Sequence, residues 1–172
     1  IDAVDKALVE ARSLFRDGRQ QDALDRLDVC LVEYPENEEL QEFYLTLRAR
    51  FMGPENALAY LEEVMQREKS PWRSRPILLS AKMDLTAGTG GVNLIPKMKA
   101  LESKIQAFQK REQADLWLRL ARAYFTRVQF ASKHVLNQVD RCLSKATELN
   151  PGSRELAELQ FETGLLQRNE NS

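Results

Sequence analysis

The pattern that most constrains this chain is a set of small and apolar residues that recurs after 34 positions. The recurring places hold alanine, leucine and a third apolar residue: Ala23, Leu27 and Cys30 first, then Ala57, Leu61 and Val64. Steps of four and three residues place each set on one face of a helix. A short fixed period of this kind predicts an array of helical repeats, each of which buries its face against the next.

Each repeat divides into two helices. In the first repeat, helical spacing of small and apolar residues precedes Gly18 and resumes after it, and Pro35 ends the second helix. Glycine allows the tight turn between the helices, whereas proline cannot continue a helix interior. Runs of β-branched residues and period-two alternation are scarce along the chain. The sequence therefore predicts an all-α fold of antiparallel helix pairs.

A later copy of the pattern has aromatic and apolar residues in its first helix and ends at a proline: Trp117, Leu120, Ala121, Tyr124, Leu143, Ala146 and Pro151. This copy carries about six residues more than the first, which predicts an insertion at 129–135. A less regular copy between them is about eight residues longer than the period. We place those residues in an enlarged turn at 86–93, around three clustered glycines.

The first repeat resembles the tetratricopeptide repeat (TPR) family at its small, turn and stop positions: Ala11, Leu14, Gly18, Ala23, Leu27 and Pro35. The resemblance implies a single domain over 1–172 that forms a right-handed α-solenoid of about four antiparallel helix pairs plus a C-terminal capping helix. The repeats implied are 4–37, 38–71, 72–113 and 114–153, followed by a capping helix over 154–168.

Proteins of this family are similar in lining a concave groove with the inner faces of their first helices. The resemblance therefore implies a non-catalytic protein–protein interaction scaffold, or adaptor, that holds a peptide or helical segment of a partner within a larger protein or complex. Transferred to this sequence, the groove positions give these partner-binding residues: Arg12, Phe15, Arg16, Arg50, Met83, Arg119, Arg122 and Phe125. Arginine forks suit carboxylates and phenylalanines suit apolar anchors, so an acidic and apolar partner segment is favoured.

The charges are unevenly distributed, although the formal net charge is only −1. Residues 1–65 carry 7 basic and 15 acidic side chains, whereas residues 66–111 carry 10 basic and 3 acidic ones. The basic segment leaves open an RNA-binding or polyanion-binding scaffold, but only Trp72 and Phe108 are available there to stack on bases, which makes nucleic acid an unlikely partner. Pairing of the acidic and basic regions between chains would give salt-sensitive self-association.

The motifs that carry chemistry are absent or incomplete. The glycines at 88, 90 and 91 lack the lysine and hydroxyl that a Walker A loop places after its last glycine, so we interpret them as part of a turn. His134 is the only histidine, and Cys30 and Cys142 are isolated in apolar helical patterns. We predict no enzyme, no cofactor and no metal site. An accessory domain of an enzyme remains the other open alternative.

Cellular location is the least constrained property. No segment of the sequence is apolar enough over ~18 residues to span a membrane, so direct membrane insertion is not expected. Buried free thiols favour a reducing, cytoplasmic compartment. Because the chain begins at Ile1 rather than Met, we expect either a mature form or a part of a larger protein, and a membrane-anchored or cell-envelope parent stays open.

Overall fold

The computed structural model describes residues 2–67, 75–90 and 93–171, with the backbone alone at 128–132 and 169–171. All regular structure in these ranges is helical, which confirms the all-α prediction. The helices are α1 Ala3–Arg16, α2 Gln20–Glu33, α3 Glu38–Met52, α4 Pro54–Gln66, α5 Pro76–Thr89, α6 Leu94–Glu102, α7 Lys110–Phe125, α8 Val128–Leu149 and α9 Arg154–Asn171. A short 3₁₀ turn, Ile105–Ala107, follows α6. The chain divides into an N-terminal unit, Ile1–Ala81, and a C-terminal unit, Lys82–Ser172.

The N-terminal unit contains two antiparallel helix hairpins. In the first, Arg26 Nε of α2 donates to Glu10 Oε2 of α1 at 2.5 Å, and Cys30 Sγ lies 4.0 Å from the Ala3 carbonyl oxygen. In the second, Arg48 Nε of α3 donates to Asn56 Oδ1 of α4 at 2.6 Å. Helix α3 also packs against both α1 and α2, so the two hairpins share one core.

Small residues explain why the helices of the N-terminal unit approach closely. Ala7, Ala11 and Ala23 have no exposed surface, and leucines fill the space around them. The residues that recur at 34 positions are buried in α2 and again in α4: Ala23, Leu27 and Cys30, then Ala57, Leu61 and Val64. The sequence period is therefore also a period of burial.

The turns between these helices follow from local residue chemistry. Gly18 and Gly53 have φ angles of 82° and 94°, a region in which other L-residues are strained. Asn37 caps α3 by accepting a hydrogen bond from the Leu40 backbone N–H at 2.9 Å. Pro54 occupies the first turn of α4, where a missing N–H leaves no hydrogen bond unmade.

The C-terminal unit is built mainly from the hairpin of α7 and α8, and α9 packs against both helices. The side chains of α7 and α8 with the least exposure include Leu120, Ala121, Tyr124, Val139 and Cys142, each at 0%. Leu156 and Leu159 are the residues by which α9 joins this core. The aromatic, leucine and alanine positions that the sequence predicts for this hairpin are therefore all buried.

The prediction of an enlarged turn at 86–93 is wrong for its first half. Helix α5 continues through Thr89, and Thr86 and Ala87 are buried in its last turns. Gly90, with φ of 60°, ends the helix, and residues 91–92 lie outside the described part of the chain. Helix α5 is longer than expected because burial of Thr86 and Ala87 favours another helical turn, and because Arg127 binds the carbonyl oxygens at its end.

The predicted insertion at 129–135 is also corrected, because it does not form an irregular loop. Thr126 and Arg127 are enough to turn the chain, and α8 then runs without interruption through Leu149. Val135 and Val139 are one helical turn apart and both fully buried, so the apolar stripe of α8 begins inside the supposed insertion. The extra residues therefore lengthen the second helix of this hairpin.

The third helix pair also differs from the expectation. Within the described residues, α5 and α6 are not among the helix pairs that pack extensively, which are α1 with α2, α3 with α4 and α7 with α8. Apolar residues that recur at intervals of four and three residues from Leu94 form a stripe, and they are all buried: Leu94, Met98, Leu101 and Ile105. However, α6 ends at Glu102, and the stripe continues into the 3₁₀ turn rather than along one helix.

Candidate partner-binding surface

Four of the predicted partner-binding residues lie in the N-terminal unit, on helices α1 and α3. Arg12, Arg16 and Arg50 are exposed, and Phe15 is partly buried against the core of the unit. The guanidinium carbon of Arg12 lies 4.9 Å from the centre of the Phe43 ring. We call this surface, formed by Arg12, Phe15, Arg16, Phe43 and Arg50, the arginine face.

Helix geometry places these residues on neighbouring turns. Arg16 follows Arg12 by four residues, and Arg50 follows Phe43 by seven, so each pair shares one side of its helix. Helices α1 and α3 run in the same direction. Helix α2 is antiparallel to α1, and the short loop 34–37 turns the chain back along α2, so that Asp28, five residues before the end of α2, lies beside Tyr44, six residues after the start of α3. The contact of Arg12 with Phe43 therefore sets how the pair Arg12 and Arg16 on α1 is aligned with the pair Phe43 and Arg50 on α3.

The three arginines of this face differ from the other arginines of residues 2–67. Elsewhere in that range, every guanidinium is paired: Arg19 with Asp22 at 2.9 Å, Arg26 with Glu10 at 2.5 Å, Arg67 with Glu63 at 3.7 Å, and Arg48 with Asn56 and Tyr44. Arg12, Arg16 and Arg50 make no hydrogen bond or ion pair to any described residue. Their N–H groups are therefore available to an external acceptor.

A polar cluster behind this face holds α3 against its neighbours. Arg48 Nη1 donates to the Tyr44 hydroxyl at 2.9 Å, and its guanidinium lies 4.8 Å from the Tyr60 ring centre. The Tyr60 hydroxyl donates to Gln41 Oε1 at 3.3 Å, and the two tyrosine rings are 4.9 Å apart. The cluster joins α3 to α4 and keeps the exposed side of α3 in a defined orientation.

Burial changes the acidity of this cluster. The pKa of Tyr44 is raised to about 12, first by burial and then by the nearby Asp28 carboxylate. Burial also raises the pKa of Tyr60 and of Asp28, and in Asp28 the Tyr44 hydroxyl and Arg48 partly offset the rise. Both tyrosines are therefore neutral hydrogen-bonding groups at physiological pH. The sequence analysis did not predict this cluster. The feature of the sequence that could have indicated it is the presence of a tyrosine on either side of Arg48, at Tyr44 and Tyr60.

The remaining predicted residues lie in the C-terminal unit. Arg119 and Arg122 on α7 are exposed and make no hydrogen bond or ion pair to described residues, while Phe125 is partly buried. Arg119 lines an open depression with Asp115 and the first residues of α9. The depression carries both charge signs, because Glu155 and Arg154 also line it.

Met83 is a correction to the predicted partner-binding set. It has no exposed surface and therefore offers nothing to a partner. Leu79, Met83 and Ala87 follow one another at intervals of four residues and are all buried. Met83 thus lies at the centre of the apolar side of α5, which the helical spacing of its neighbours explains.

A second polar cluster lies inside the C-terminal unit. Arg141 of α8 forms an ion pair with Glu102 of α6, and its guanidinium lies 6.0 Å from the Trp117 ring centre. Among the described residues, the buried Tyr124 hydroxyl has no hydrogen-bond partner, and burial followed by the charge of Glu102 raises its pKa. Burial raises the pKa of Cys142 to about 12, so this thiol is protonated and unreactive at neutral pH.

The glycine-rich segment around Gly90 has a structural partner of its own. Arg127 Nε donates to the Ala87 carbonyl oxygen at 2.5 Å, and its Nη2 donates to the Gly88 carbonyl oxygen at 2.6 Å. An arginine at this position satisfies carbonyl groups that a helix end leaves unpaired. In the described part of the segment, the chain thus presents carbonyl groups to a cation rather than amide groups to a phosphate.

The basic segment 66–111 is described only in part, because residues 68–74 and 91–92 lie outside the described ranges. Two of its arginines pair with acidic residues of the N-terminal unit: Arg67 with Glu63 at 3.7 Å and Arg75 with Glu38 at 2.8 Å. Part of its positive charge is therefore used within the chain.

Three general features complete the description of the surface. No group of three histidine, cysteine or acidic side chains in the described ranges is arranged to hold a metal ion. None of the described helices combines the length and the hydropathy needed to cross a bilayer. His134 is exposed on α8.

Comparisons with models of known protein families, with curated proteins and with solved structures find no match to this chain.

Proposed function

We propose that this chain is a non-catalytic protein–protein interaction scaffold, whose helix pairs are units of a right-handed, TPR-like α-solenoid. In this proposal the arginine face holds an acidic and apolar segment of a partner protein. The repeat assignment is supported by the burial of equivalent residues at the 34-residue interval, as in Ala23 and Ala57. It is further supported by the glycine turns at Gly18 and Gly53.

A single observation carries the functional proposal. Within residues 2–67, the arginines that make no hydrogen bond or ion pair to a described residue are Arg12, Arg16 and Arg50, which are the same three that the resemblance places at a groove. Because an exposed ion pair contributes little to the stability of a fold, these three arginines are not needed to hold the unit together. Their position on one side of two adjacent helices favours an acceptor supplied by another molecule. The partly buried Phe15 beside them supplies apolar contact.

The experiment that tests this proposal is partner capture with charge-reversed variants. Tagged wild-type chain, Arg12→Glu/Arg50→Glu and Arg19→Gln would be compared by quantitative mass spectrometry of captured proteins, with thermal unfolding as a folding check. Arg19 is a matched control, because it is an exposed arginine of the same unit already paired with Asp22. We expect the double variant to lose the proteins that the wild type and Arg19→Gln both retain. Equal capture by all three proteins would show that the arginine face is not the binding surface.

A further inference from the structure

The arginine face concentrates positive charge in an otherwise acidic part of the chain. Residues 1–65 carry 7 basic and 15 acidic side chains, so unpaired guanidinium groups are not explained by a lack of carboxylates. Arg26, for comparison, reaches Glu10 on the neighbouring helix at 2.5 Å. The positive charge of Arg12, Arg16 and Arg50 is therefore local and not neutralised by described residues.

Arg12, Arg16 and Arg50 lie on neighbouring turns of two adjacent helices, α1 and α3. Arg12 stacks on Phe43, and Arg50 lies seven residues beyond Phe43, which is about 10 Å along the helix axis. Because α1 and α3 run in the same direction, Arg16 lies beside the turn of α3 between these two positions. Stacking restrains the plane of the Arg12 guanidinium while its N–H edges stay free to donate in pairs.

Building on the proposed function, we infer that the partner segment bound at the arginine face carries a phosphoserine or phosphothreonine. A phosphomonoester brings nearly two negative charges and three strong acceptor oxygens, which matches two or three guanidinium forks. A single carboxylate would neutralise only one of them. A long polyanion such as RNA would also meet the surrounding excess of acidic side chains, whereas one phosphate group meets only the local positive charge.

The test uses the full chain and three fluorescently labelled pools of short peptides with identical randomised flanks. The central position is phosphoserine in the first pool, serine in the second and a pair of glutamates in the third. We expect fluorescence polarisation to show the phosphoserine pool binding about tenfold or more tightly than the serine pool, and more tightly than the glutamate pool. Arg12→Gln and Arg50→Gln should each weaken that binding by about tenfold, while Arg19→Gln leaves it unchanged. Arg12→Lys should weaken it as well, because lysine keeps the charge but not the fork.

The outcomes separate this inference from the proposed function. Equal binding of the phosphoserine and serine pools, or of the phosphoserine and glutamate pools, overturns the phosphate inference. It is also overturned if no pool binds, or if inorganic phosphate at the same concentration as the phosphoserine peptides displaces them. Tighter binding of homopolymeric RNA than of the phosphoserine pool overturns it as well. The proposed scaffold function fails on a different result, namely unchanged partner capture by Arg12→Glu/Arg50→Glu.

Discussion

Replacing Tyr124 by phenylalanine removes one oxygen atom from the centre of the C-terminal unit. Tyr124 has no exposed surface, and its hydroxyl finds no hydrogen-bond partner among the described residues. In the unfolded chain the same hydroxyl is hydrogen-bonded to water. Folding therefore costs free energy at this atom, and the substitution should recover part of that cost.

The magnitude follows from the cost of a buried, unsatisfied polar group, about 1–3 kcal/mol. Part of this is lost again because the phenylalanine leaves a small void where the oxygen was. We expect Tyr124→Phe to stabilise the C-terminal unit by about 1 kcal/mol. In a chain of this size, such a change raises the melting temperature by about 2–4 °C.

The same chemical change at Tyr44 should have the opposite sign. Tyr44 is 3% exposed, and its hydroxyl accepts a hydrogen bond from Arg48 at 2.9 Å. Tyr44→Phe leaves the partly buried Arg48 donor without this acceptor, and we expect a loss of about 1–2 kcal/mol in the N-terminal unit. The two variants form a matched pair, with equal change in volume and different hydrogen bonding.

The assay is native-state hydrogen exchange measured by mass spectrometry, read separately on peptides from α7–α8 and from α3–α4. Local probes are needed because a chain with two compact units need not unfold in a single transition. Slower exchange of α7–α8 in Tyr124→Phe and faster exchange of α3–α4 in Tyr44→Phe are the expected results. If Tyr124→Phe destabilises α7–α8 by more than about 1 kcal/mol, the hydroxyl has a partner in solution and the reasoning is refuted.

Further predictions concern backbone strain, packing and thiol chemistry. Gly18→Ala should lower the free energy of unfolding by about 1–2 kcal/mol in chemical denaturation, whereas Gly152→Ala should leave it unchanged. In neither case does the added methyl group meet an atom within 4 Å, but of these two glycines only Gly18 has a positive φ. Ala11→Leu should cost about 1–3 kcal/mol in the same measurement, since Ala11 has no exposed surface, and Ala59→Leu on the exposed side of α4 serves as its control. Because the pKa of Cys142 is about 12, its thiolate fraction at pH 8 is on the order of 10⁻⁴. A disulfide reagent should therefore modify Cys142 only as fast as the protein opens, and prompt modification of the native protein would contradict the assigned burial.

The sequence was sufficient to predict an all-α fold and the buried residues that recur in α2, α4 and the hairpin of α7 and α8. Ala23 and Ala57 are both fully buried, 34 residues apart, and each lies in the second helix of a hairpin. Gly18 and Gly53 mark the turns because the turn geometry requires a positive φ. These properties are encoded locally, by residue size and backbone freedom, and the periodic pattern reveals them.

The lengths of α5 and α8 could not be predicted from length differences between repeats. Extra residues in a repeat can enlarge a turn or extend a helix, and the choice depends on what the added residues contact. In α5 the added residues are helical because Ala87 is buried and because Arg127, forty positions away, donates a hydrogen bond to the Ala87 carbonyl oxygen at the helix end. In α8 the buried Val135 begins the apolar stripe within the supposed insertion. Met83 was misplaced for the same reason, since helix position alone does not say which side of α5 is covered.

For the candidate site, the sequence determined which positions carry arginine, and the tertiary structure decided which arginines remain unpaired. Arg26 pairs with Glu10 across 16 positions and Arg75 with Glu38 across 37, although nothing in their local sequence distinguishes them from Arg12 or Arg50. Arg19 and Arg67 pair with acidic residues three and four positions away, but an ion pair between helices needs two distant side chains within a few ångströms, and helix packing sets that distance. Residue type and period are local properties of the chain, whereas the free guanidinium groups of the arginine face exist only once α1 and α3 lie side by side.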